Sequence, residues 1–553
     1  MVVGWRGGGR WYTWIWSVDS WDAAAGTAAF TPGTGNQGGE GEDSAAQWYV
    51  ENIKEELDSP TEWYYDAEVG KLYYAFNGTD GAPTGNEKWS IARTKVTTML
   101  VALLLLLLPL LLPLLLRLLP LLVLTSSLLC KTLFNISGTQ AAPVTDVTLR
   151  GLAFRDAALT WLDPHGLPSG GDWALQRSGA INLVGTERVT INASLVERVD
   201  GNGIYLGDYN RNATIANSEF AWNGATCIGS WGYTRACLNA NCTLKLPWGD
   251  TPGGGPDARN GRYPSGTRIL NNLFREVGIF QKQASAYFHA NSAKAEVAGN
   301  VIFNGPRAVR SFSLLGSLLA SLLTSSLTFL QMMNFNDGMV GGDEVHANLL
   351  ANAVRESGDH SAINSWDRMP YIHEVDGKPT VIPYTRREHH NLILGTYSTQ
   401  EAFDTDDGSS YYAMYNNFLA YGSNGLKSDF GGHDHSSIGD VYAYVANCFG
   451  NGNYLSFINS TCILNFQPDA TMDGKGYSSD CNLNPGMVVE GNTVATPGGS
   501  MYACGQFLDT WVASAKSKDK GTKSVRWPTD KELSALGKAT LASDPVWDGG
   551  AKM

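Results

Sequence analysis

Short apolar segments, each interrupted by an asparagine, recur along the chain from Val147 onward. VTINASLV at 189–196 is followed 24 residues later by ATIANSEF at 213–220. Further copies are ILNNLF at 269, VAGNVIF at 297, VHANLLA at 345, HHNLIL at 389, YNNFLAY at 415 and VEGNTVA at 489. Where the repeat is clearest, successive copies lie about 24 to 28 residues apart, a period that indicates a solenoid.

Each copy offers a short strand, then an asparagine often preceded by Gly, Ala or Asn, then a second short apolar strand. The pattern predicts coils of three short strands and three turns, in which apolar side chains alternate inward. We expect the asparagine to adopt a tight-turn backbone conformation and to stack on the asparagine of the next coil. A β-propeller blade needs about 40 residues or more. The period therefore favours an all-β fold, a right-handed parallel β-helix over residues 131–505.

The regions that flank the repeat have their own patterns. Residues 1–98 are rich in Trp and Gly and are predicted to form an aromatic β region packed on the β-helix, although the aromatic rings also suit stacking on sugars. Within them, WYVENIKEEL predicts a short amphipathic helix, and EWYYDAEVGKLYYAFNGT predicts a hairpin. In residues 506–553 the repeat is lost, and a capping box of Thr529 with Glu532 predicts a short helix in a terminal cap or tail.

Two leucine-rich stretches, 99–130 and 309–333, do not fit the repeat. The first is long and apolar enough for a transmembrane helix, although three prolines and Arg117 inside it argue against one. We expect membrane association only if residues 99–130 are a genuine span. The two stretches draw on the same residue types, Leu and Ser in both, Pro in the first and Phe in the second, all of which pyrimidine-rich codons encode. We hypothesise that both are translated intron sequence.

The acidic balance of the chain narrows the classes of partner. A formal net charge of −13 speaks against nucleic acid, because phosphate binding needs clustered Lys and Arg. A local basic patch or a bridging cation would still permit an anionic polysaccharide. The composition gives no indication of an oligomeric state.

The cysteines and glycosylation sequons favour an extracellular protein. None of the eight cysteines lies in a CxxC pair, which argues against a zinc ribbon, and Cys448 and Cys462 are close enough for a local disulfide. The same holds for the group of Cys227, Cys237 and Cys242. Sequons occur at Asn77, Asn135, Asn192, Asn212, Asn241 and Asn459. The segment that follows Met1 nevertheless lacks the pattern of a signal peptide.

Three aspartates, Asp404, Asp406 and Asp407, are the sharpest chemical signal. On a strand, Asp404 and Asp406 share one face while Asp407 turns to the other, whereas on a turn all three could converge. Cleavage of a glycosidic bond needs one protonated and one ionised carboxyl group, and crowded carboxylates separate their pKa values in this way. A calcium loop or a solvent-exposed turn remains open as an alternative, so calcium is the only cofactor under consideration.

A second polar group precedes the aspartates by about two coils. Its members are Glu356, Asp359, His360, Asn364, Asp367 and Arg368. A solenoid can place them on the same face as the aspartates, with His360 as a proton carrier or orienting group and the others binding substrate. Pairing of Arg368 with a neighbouring carboxylate, which would only fix a long turn, is an alternative. Asp337 would approach the same groove if the second leucine-rich stretch is spurious.

Lys427 and Asp429 lie one coil after the aspartates and raise the possibility of a lyase, in which Lys427 removes a proton beside a uronate. Acidic surroundings would hold Lys427 protonated and so weigh against this role. His433 and His435 bracket Asp434, and on a strand both rings would face one side, as two metal ligands do. Without a third ligand in the motif, hydrogen-bonded groove residues are the alternative.

Several of these segments resemble a known family. They are NFNDG at 334–338, VRESGDHSAINSWDR at 354–368, STQEAFDTDDGSSYY at 398–412 and NGLKSDFGGHDH at 424–435, together with WYVENIKEELDSPTEWYYD at 48–66. They resemble a family of right-handed β-helix proteins, predicted to be extracellular, with the pectin-lyase-like fold of pectate lyases and polygalacturonases. The resemblance implies polysaccharide substrates. The adjacent aspartates are similar to those of polygalacturonase-like hydrolases, although the flanking glycine-histidine-glycine signature is absent.

The sequence as a whole predicts an extracellular protein that binds a polysaccharide along one groove and hydrolyses it. Asp406 and Asp407 are the predicted central acid and base, with Asp404, Asp359 and His360 in support. One alternative is a polysaccharide lyase that uses Lys427. The other is a glycan-binding or structural surface protein without catalytic activity.

Overall fold

The structure is a computed structural model. It describes residues 2–5, 13–30, 47–60, 62–66, 69–76, 131–160, 163, 165, 175–232, 261–305, 333–336, 341–354, 360–366, 372–375, 378–381, 385–396, 401–406, 408–428, 432–448, 452–472, 486–514 and 517–543.

Three long parallel sheets, which we call sheets 1, 2 and 3, form a β-helix, and each coil passes through them in that order. Sheet 1 contains β8 (Phe134–Ser137), β9 (Val144–Thr145), β12 (Ile181–Glu187), β15 (Ile204–Arg211), β18 (Ile228–Trp231), β19 (Pro264–Ser265), β22 (Tyr287–Ala290), β25 (Met333–Asn336), β28 (Ile363–Trp366), β33 (Glu401–Asp406) and β36 (Asn424–Ser428). Sheet 2 contains β10 (Thr148–Arg150), β13 (Thr190–Asn192), β16 (Thr214–Ala216), β20 (Arg268–Leu270), β23 (Glu296–Ala298), β26 (Glu344–His346), β31 (Arg386–His389), β34 (Tyr412–Tyr415), β37 (Ser436–Ile438), β39 (Ser456–Ile458) and β41 (Val488–Glu490). Sheet 3 contains β11 (Ala153–Arg155), β14 (Leu195–Glu197), β17 (Glu219–Asn223), β21 (Leu273–Val277), β24 (Val301–Phe303), β27 (Leu349–Ala353), β32 (Leu392–Thr396), β35 (Phe418–Ala420), β38 (Val441–Val445), β40 (Thr461–Leu464), β42 (Thr493–Thr496) and β45 (Lys523–Arg526). The predicted all-β solenoid is confirmed.

The remaining described elements are short. They are an antiparallel sheet of β1 (Val2–Trp5), β2 (Thr13–Trp16) and β5 (Gln47–Val50), the hairpins β3 (Val18–Asp22) with β4 (Thr27–Phe30), β6 (Trp63–Asp66) with β7 (Lys71–Tyr74), β29 (Ile372–Val375) with β30 (Lys378–Val381) and β43 (Tyr502–Ala503) with β44 (Gln506–Phe507), the helices α1 (Leu508–Val512) and α2 (Asp530–Ala542), and 3-10 turns at Lys54–Glu56 and Ala470–Met472.

An asparagine ladder runs through the turn between sheets 2 and 3. The side-chain oxygen of Asn300 accepts a hydrogen bond from the backbone N–H of Asn272 at 2.9 Å. In the same way, Asn348 accepts from the N–H of Asn300 at 3.0 Å, and Asn391 accepts from the N–H of Asn348 at 3.1 Å. Each of these side chains is buried, so the ladder satisfies backbone groups that water cannot reach. Asn417 continues the series by accepting the N–H of Asn391 at 3.0 Å.

The ladder corrects one detail of the sequence-based prediction. The residue that adopts the left-handed conformation is the one before each ladder asparagine, with φ of 66° at Gly299, 53° at Ala347 and 56° at Asn416. A left-handed residue at this place turns the chain from one sheet to the next and points the following side chain along the ladder. This division of roles explains why Gly, Ala or Asn so often precedes the asparagine.

The N-terminal region differs from its prediction at one element. The expected helix at the start of WYVENIKEEL is a strand, because Gln47–Val50 pairs antiparallel with Val2–Trp5, and only Lys54–Glu56 forms a helical turn. Pairing with a distant strand overrides the local helical pattern. The hairpin predicted next is confirmed, with Trp63–Asp66 paired to Lys71–Tyr74.

The C-terminal region adds to the solenoid. Strand β45 pairs parallel with β42 at the end of sheet 3. Helix α2 then starts at Thr529, where the predicted capping box with Glu532 is present. Its leucines, with Leu536 as an example, pack against the outer face of sheet 3 on Phe418 and neighbouring apolar side chains. The helix thus covers an apolar surface on the side of the β-helix.

Both leucine-rich stretches fall mainly outside the described residues, which exclude 77–130 and 306–332. Met333, the last residue assigned to the second stretch, is the first residue of β25 and pairs with Tyr287 on one side and Ile363 on the other. Among the residues that the structure describes, no helix is long and apolar enough to cross a membrane.

Candidate active site

Strand register brings the polar residues of three neighbouring coils into one row on sheet 1. Asn364 of β28 lies beside Asp404 of β33, which lies beside Lys427 of β36. The preceding residues of each strand, with Phe403 as an example, belong to the interior core. Because side chains alternate along a strand, the polar row lies on the outer face, and Asp406 shares that face two residues after Asp404.

The row forms a connected ionic cluster. The Nζ atom of Lys427 lies 3.0 Å from Oδ1 of Asp406 and 3.5 Å from Oδ1 of Asp404. The side-chain amide of Asn364 donates to the other Asp404 oxygen at 3.1 Å. The Asp404 side chain is fully buried, whereas those of Asp406 and Lys427 are 15% and 12% exposed. Asp406 and Lys427 are therefore the members of this cluster that a bound molecule can reach.

Neighbouring hydroxyl groups hold the backbone of β33 in place. The N–H of Asp404 donates to Oγ of Ser361 at 3.0 Å. The hydroxyl of Ser409 donates to the carbonyl of Asp406 at 2.6 Å and lies 2.9 Å from the hydroxyl of Ser365. These contacts come from the coil of β28 and from the turn after β33, so the two aspartates are fixed from both sides.

His360 lies in the coil of β28 and is buried. Burial, and then the positive charge of Lys427, lower the pKa of His360 to about 3. The ring is therefore neutral near pH 7, the form in which an imidazole orients other groups or accepts a proton. The coil that carries His360 and Asn364 directly adjoins the aspartate coil, and is not two coils away as the spacing had predicted. The chain between them extends outward as the hairpin β29–β30 instead of completing a further coil.

The two histidines predicted to face one side have different surroundings. His435 is buried against the ring of Tyr412, and burial followed by the charge of His433 lowers its pKa to about 3. His433 lies edge-on to Tyr411 and pairs with Asp434 at 2.6 Å. In the part of the chain that the structure describes, no group of three or more His, Cys, Asp or Glu side chains could hold a metal ion.

The other predicted site residues lie outside the described residues, and their roles remain predictions. They are Asp337, Glu356, Asp359, Asp367, Arg368, Asp407 and Asp429.

Sequence reasoning missed a second ionic cluster, which lies inside the coils. Oδ1 of Asp343 lies 3.2 Å from Nε2 of His289, and Oδ2 of Asp343 lies 2.7 Å from Nε of Arg386. All three side chains are buried. Burial alone raises the pKa of Asp343, but His289 and Arg386 outweigh that effect and hold it well below its usual range. Arg386 also donates to the hydroxyl of Tyr412. No motif marks these residues; the only signal is that Asp343 and Arg386 hold equivalent places, each one residue before the paired residues Glu344 and Arg387.

The interior cluster is structural. Glu388 lies in it, and burial raises the pKa of Glu388 to about 8. The cluster is enclosed by the three sheets, so a polymer outside the β-helix has no contact with it. Loss of one partner of such a buried group would leave an uncompensated charge in the core.

Comparisons with known proteins add little about function. No family model and no curated protein matches this chain. A solved structure described as a glycoside hydrolase is similar with a TM-score of 0.45 and 11% sequence identity, over 89% of this chain and 67% of that one. The function is therefore argued from the geometry of the site.

Proposed function

We propose that this protein binds a polysaccharide on the outer face of sheet 1 and hydrolyses its glycosidic bonds beside Asp406. The observation that carries the proposal is the convergence of Lys427 with Asp404 and Asp406 on one outer face, at 3.5 and 3.0 Å. The parallel coils on either side offer an extended surface on which a polymer can lie. Asp406 and Lys427 keep an accessible edge there.

Each residue of the cluster has a separate role in the proposed hydrolysis. Contact with Lys427 favours the ionised form of Asp406, which suits a base or a nucleophile. Asp404 is buried and acts as a positioning residue that keeps Lys427 and Asn364 in place. The second carboxyl group that hydrolysis requires, the acid, is assigned to Asp407 from the sequence.

The same geometry disfavours the lyase alternative. A lysine that removes a proton must first be neutral, and Lys427 contacts two carboxylates that stabilise its charged form. The non-catalytic alternative, a glycan-binding surface protein, differs from the proposal only in chemistry, and the experiment below separates them.

We also propose that the protein acts outside the cell. A disulfide joins Cys448 to Cys462, with 5.8 Å between the Cα atoms, and Cys504 is disulfide-bonded as well. Disulfides persist mainly in oxidising compartments. The side chains of the sequon residues Asn135, Asn212 and Asn459 are exposed, as glycosylation requires.

The test compares Asp406→Asn and Asp407→Asn with the parent protein on a panel of polysaccharides, measuring new reducing ends and ultraviolet absorbance. Hydrolysis predicts reducing ends without absorbance, and a loss of about 100-fold or more in each variant. Asp146→Asn is the matched control, because Asp146 is an exposed aspartate that pairs with Arg188 on the surface, far along the chain from the candidate site.

Other results would overturn the proposal. Unsaturated products that absorb in the ultraviolet would identify a lyase. Binding of a polysaccharide without cleavage, or cleavage unchanged in both variants, would exclude Asp406 and Asp407 as catalytic residues.

A further inference from the structure

Two tyrosines form an exposed stack at the end of sheet 3, where Tyr421 follows β35 and Tyr444 lies near the end of β38. The rings of Tyr421 and Tyr444 lie 5.2 Å apart with planes 13° from parallel. Tyr421 is 62% exposed, and Tyr444 is partly buried. The two residues hold equivalent places in successive coils, because Ala420 pairs with Ala443 just before them.

The turn holds these rings in an unfavourable backbone conformation. Tyr421 and Tyr444 have φ of 62° and 59°, in the left-handed region that bulky residues avoid. At the same place in the two preceding coils stand Gly395 and Asn352, residue types that adopt this conformation readily. Trp222 and Glu276 adopt the same left-handed conformation at this place in earlier coils, so the conformation belongs to the turn of the coil and fixes the direction of both tyrosine side chains.

The stack is braced on one side and open on the other. Trp527 meets Tyr444 edge-on at 5.7 Å, and its indole N–H donates to the carbonyl of Leu464 at 2.8 Å. On the opposite side, the equivalent place in the preceding coil is Gly395, which has no side chain to cover the outer face of the Tyr421 ring. A rigid aromatic ring with an uncovered face is a surface on which another flat apolar face can stack.

The stack lies at the edge of the candidate active site. Tyr421 precedes β36 by three residues and Lys427 by six. A chain of six residues spans at most about 20 Å, a distance that a short oligosaccharide can bridge. A sugar chain bound at Asp406 and Lys427 could therefore extend over the sheet 3 to sheet 1 turn and reach Tyr421.

We infer that Tyr421, supported by Tyr444, is a subsite that stacks a pyranose ring of the polysaccharide. The inference rests on the proposed function. The ring to be bound must present a face of C–H bonds to the tyrosine, and this subsite makes no ionic contact with it. Sugars with a flat apolar face are thus the class that it selects, whereas charged substituents are recognised at Lys427.

The test measures affinity and kinetics on the polysaccharide that the parent protein binds, with Tyr421→Ala, Tyr421→Phe and Tyr444→Ala. Tyr421→Ala should raise the dissociation constant and KM about tenfold and leave kcat unchanged. Tyr421→Phe keeps the ring and should bind like the parent, while Tyr444→Ala should show a smaller loss. Trp222→Ala is the control, because Trp222 is an exposed aromatic residue with φ of 57° at the same place of a distant coil.

The outcomes separate this inference from the proposed function. If the parent protein binds glycan and Tyr421→Ala binds equally well, the subsite is wrong while the function stands. If the parent binds no glycan, both fail. If Tyr421→Ala instead converts a dimer seen by sedimentation into monomers without changing glycan affinity, the stack is a contact between copies of this chain and the subsite is wrong.

Discussion

Asp440 continues the asparagine ladder after Asn417, with a carboxyl group in place of the amide. Its carboxylate accepts the backbone N–H of Asn417 at 2.8 Å and the hydroxyl of Ser437 at 2.7 Å, and the side chain is fully buried. Burial raises the pKa of Asp440 to about 7, although the hydrogen bonds from Asn417 and Ser437 oppose this rise. An aspartate also lacks the amide N–H that Asn417 donates to the carbonyl of Glu388. The Asp440 carboxylate therefore cannot make the second hydrogen bond that the ladder asparagines make.

Asp440→Asn should stabilise the protein above neutral pH. The folded protein holds the Asp440 proton more tightly than the unfolded chain, whose pKa is near 3.8, so this stability is present below about pH 4 and is lost as pH rises through about 7. The amide removes that loss and can donate to the carbonyl of Met414, for a gain of about 1 kcal/mol at pH 8. Urea denaturation at pH 5 and pH 8 measures it. Equal destabilisation at both pH values would contradict this account.

Helix α2 is held in place by contacts with residues that lie more than 100 positions earlier in the chain. The ring of His390 donates through Nε2 to the carbonyl of Ser543 at 2.6 Å, next to the C-terminal end of the helix. Its Nδ1 lies 2.8 Å from Nδ1 of His389, whose Nε2 lies 3.3 Å from Oε1 of Glu344. The remaining contacts are the leucines of α2 on the Phe418 surface. The helix is a separate element that can loosen without disturbing the coils.

Acid should release helix α2. Burial lowers the pKa of His390 below its ordinary 6.5, so the stability it contributes is present above pH 6.5 and is lost as pH falls through the lowered value. Burial and the neighbouring rings of His389 and His346 disfavour the protonated form of His390. Protection of the backbone amides of residues 530–543 against hydrogen exchange should therefore fall as pH drops below 6.5.

Two variants check the cause of this release. His390→Ala should exchange rapidly in the helix at every pH, and His433→Ala should behave like the parent protein. If lowering the pH reduces protection of the helix in His390→Ala as much as it does in the parent protein, a group other than His390 causes the release.

The whole molecule is a stack in which each coil contacts only its neighbours, so the length of each connection can vary without affecting the others. Between sheets 3 and 1, residues 421–423 join β35 to β36, residues 397–400 join β32 to β33, and residues 354–362 join β27 to β28. The equivalent connection between β24 and β25 is residues 304–332, and it contains nearly all of the second leucine-rich stretch. Without 309–332, that connection would match the others in length.

A variant that lacks residues 309–332 should fold as well as the full chain. Strands β24 and β25 keep their partners on both sides, and shortening a connection lowers the entropic cost of closing it. We expect an unchanged circular dichroism spectrum and a Tm equal to or above that of the full chain. A drop in Tm of more than about 5 °C would mean that the stretch contributes to the core. Transcript sequencing tests the intron hypothesis directly: continuous reads across both stretches would refute it.

Local patterns in the sequence determined the architecture. The repeat with its asparagines, the alternation that put Phe403 inside and Asp404 outside, the disulfide of Cys448 with Cys462 and the capping box at Thr529 all depend on residues near each other in the chain. Strand alternation and capping have fixed short periods, so a single sequence is enough to recognise them.

The contacts between coils were decided only by the tertiary structure. The loops between strands differ in length, so the sequence does not state which residue lies beside which in the next coil. Register placed Lys427 between Asp404 and Asp406, brought Asn364 into the adjacent coil and enclosed Arg386 with Asp343. It also turned a helical pattern at Gln47–Val50 into a strand. The physical reason is that an apolar or charged side chain is stabilised by its spatial neighbours, and in a solenoid most of those neighbours are a full coil away along the chain.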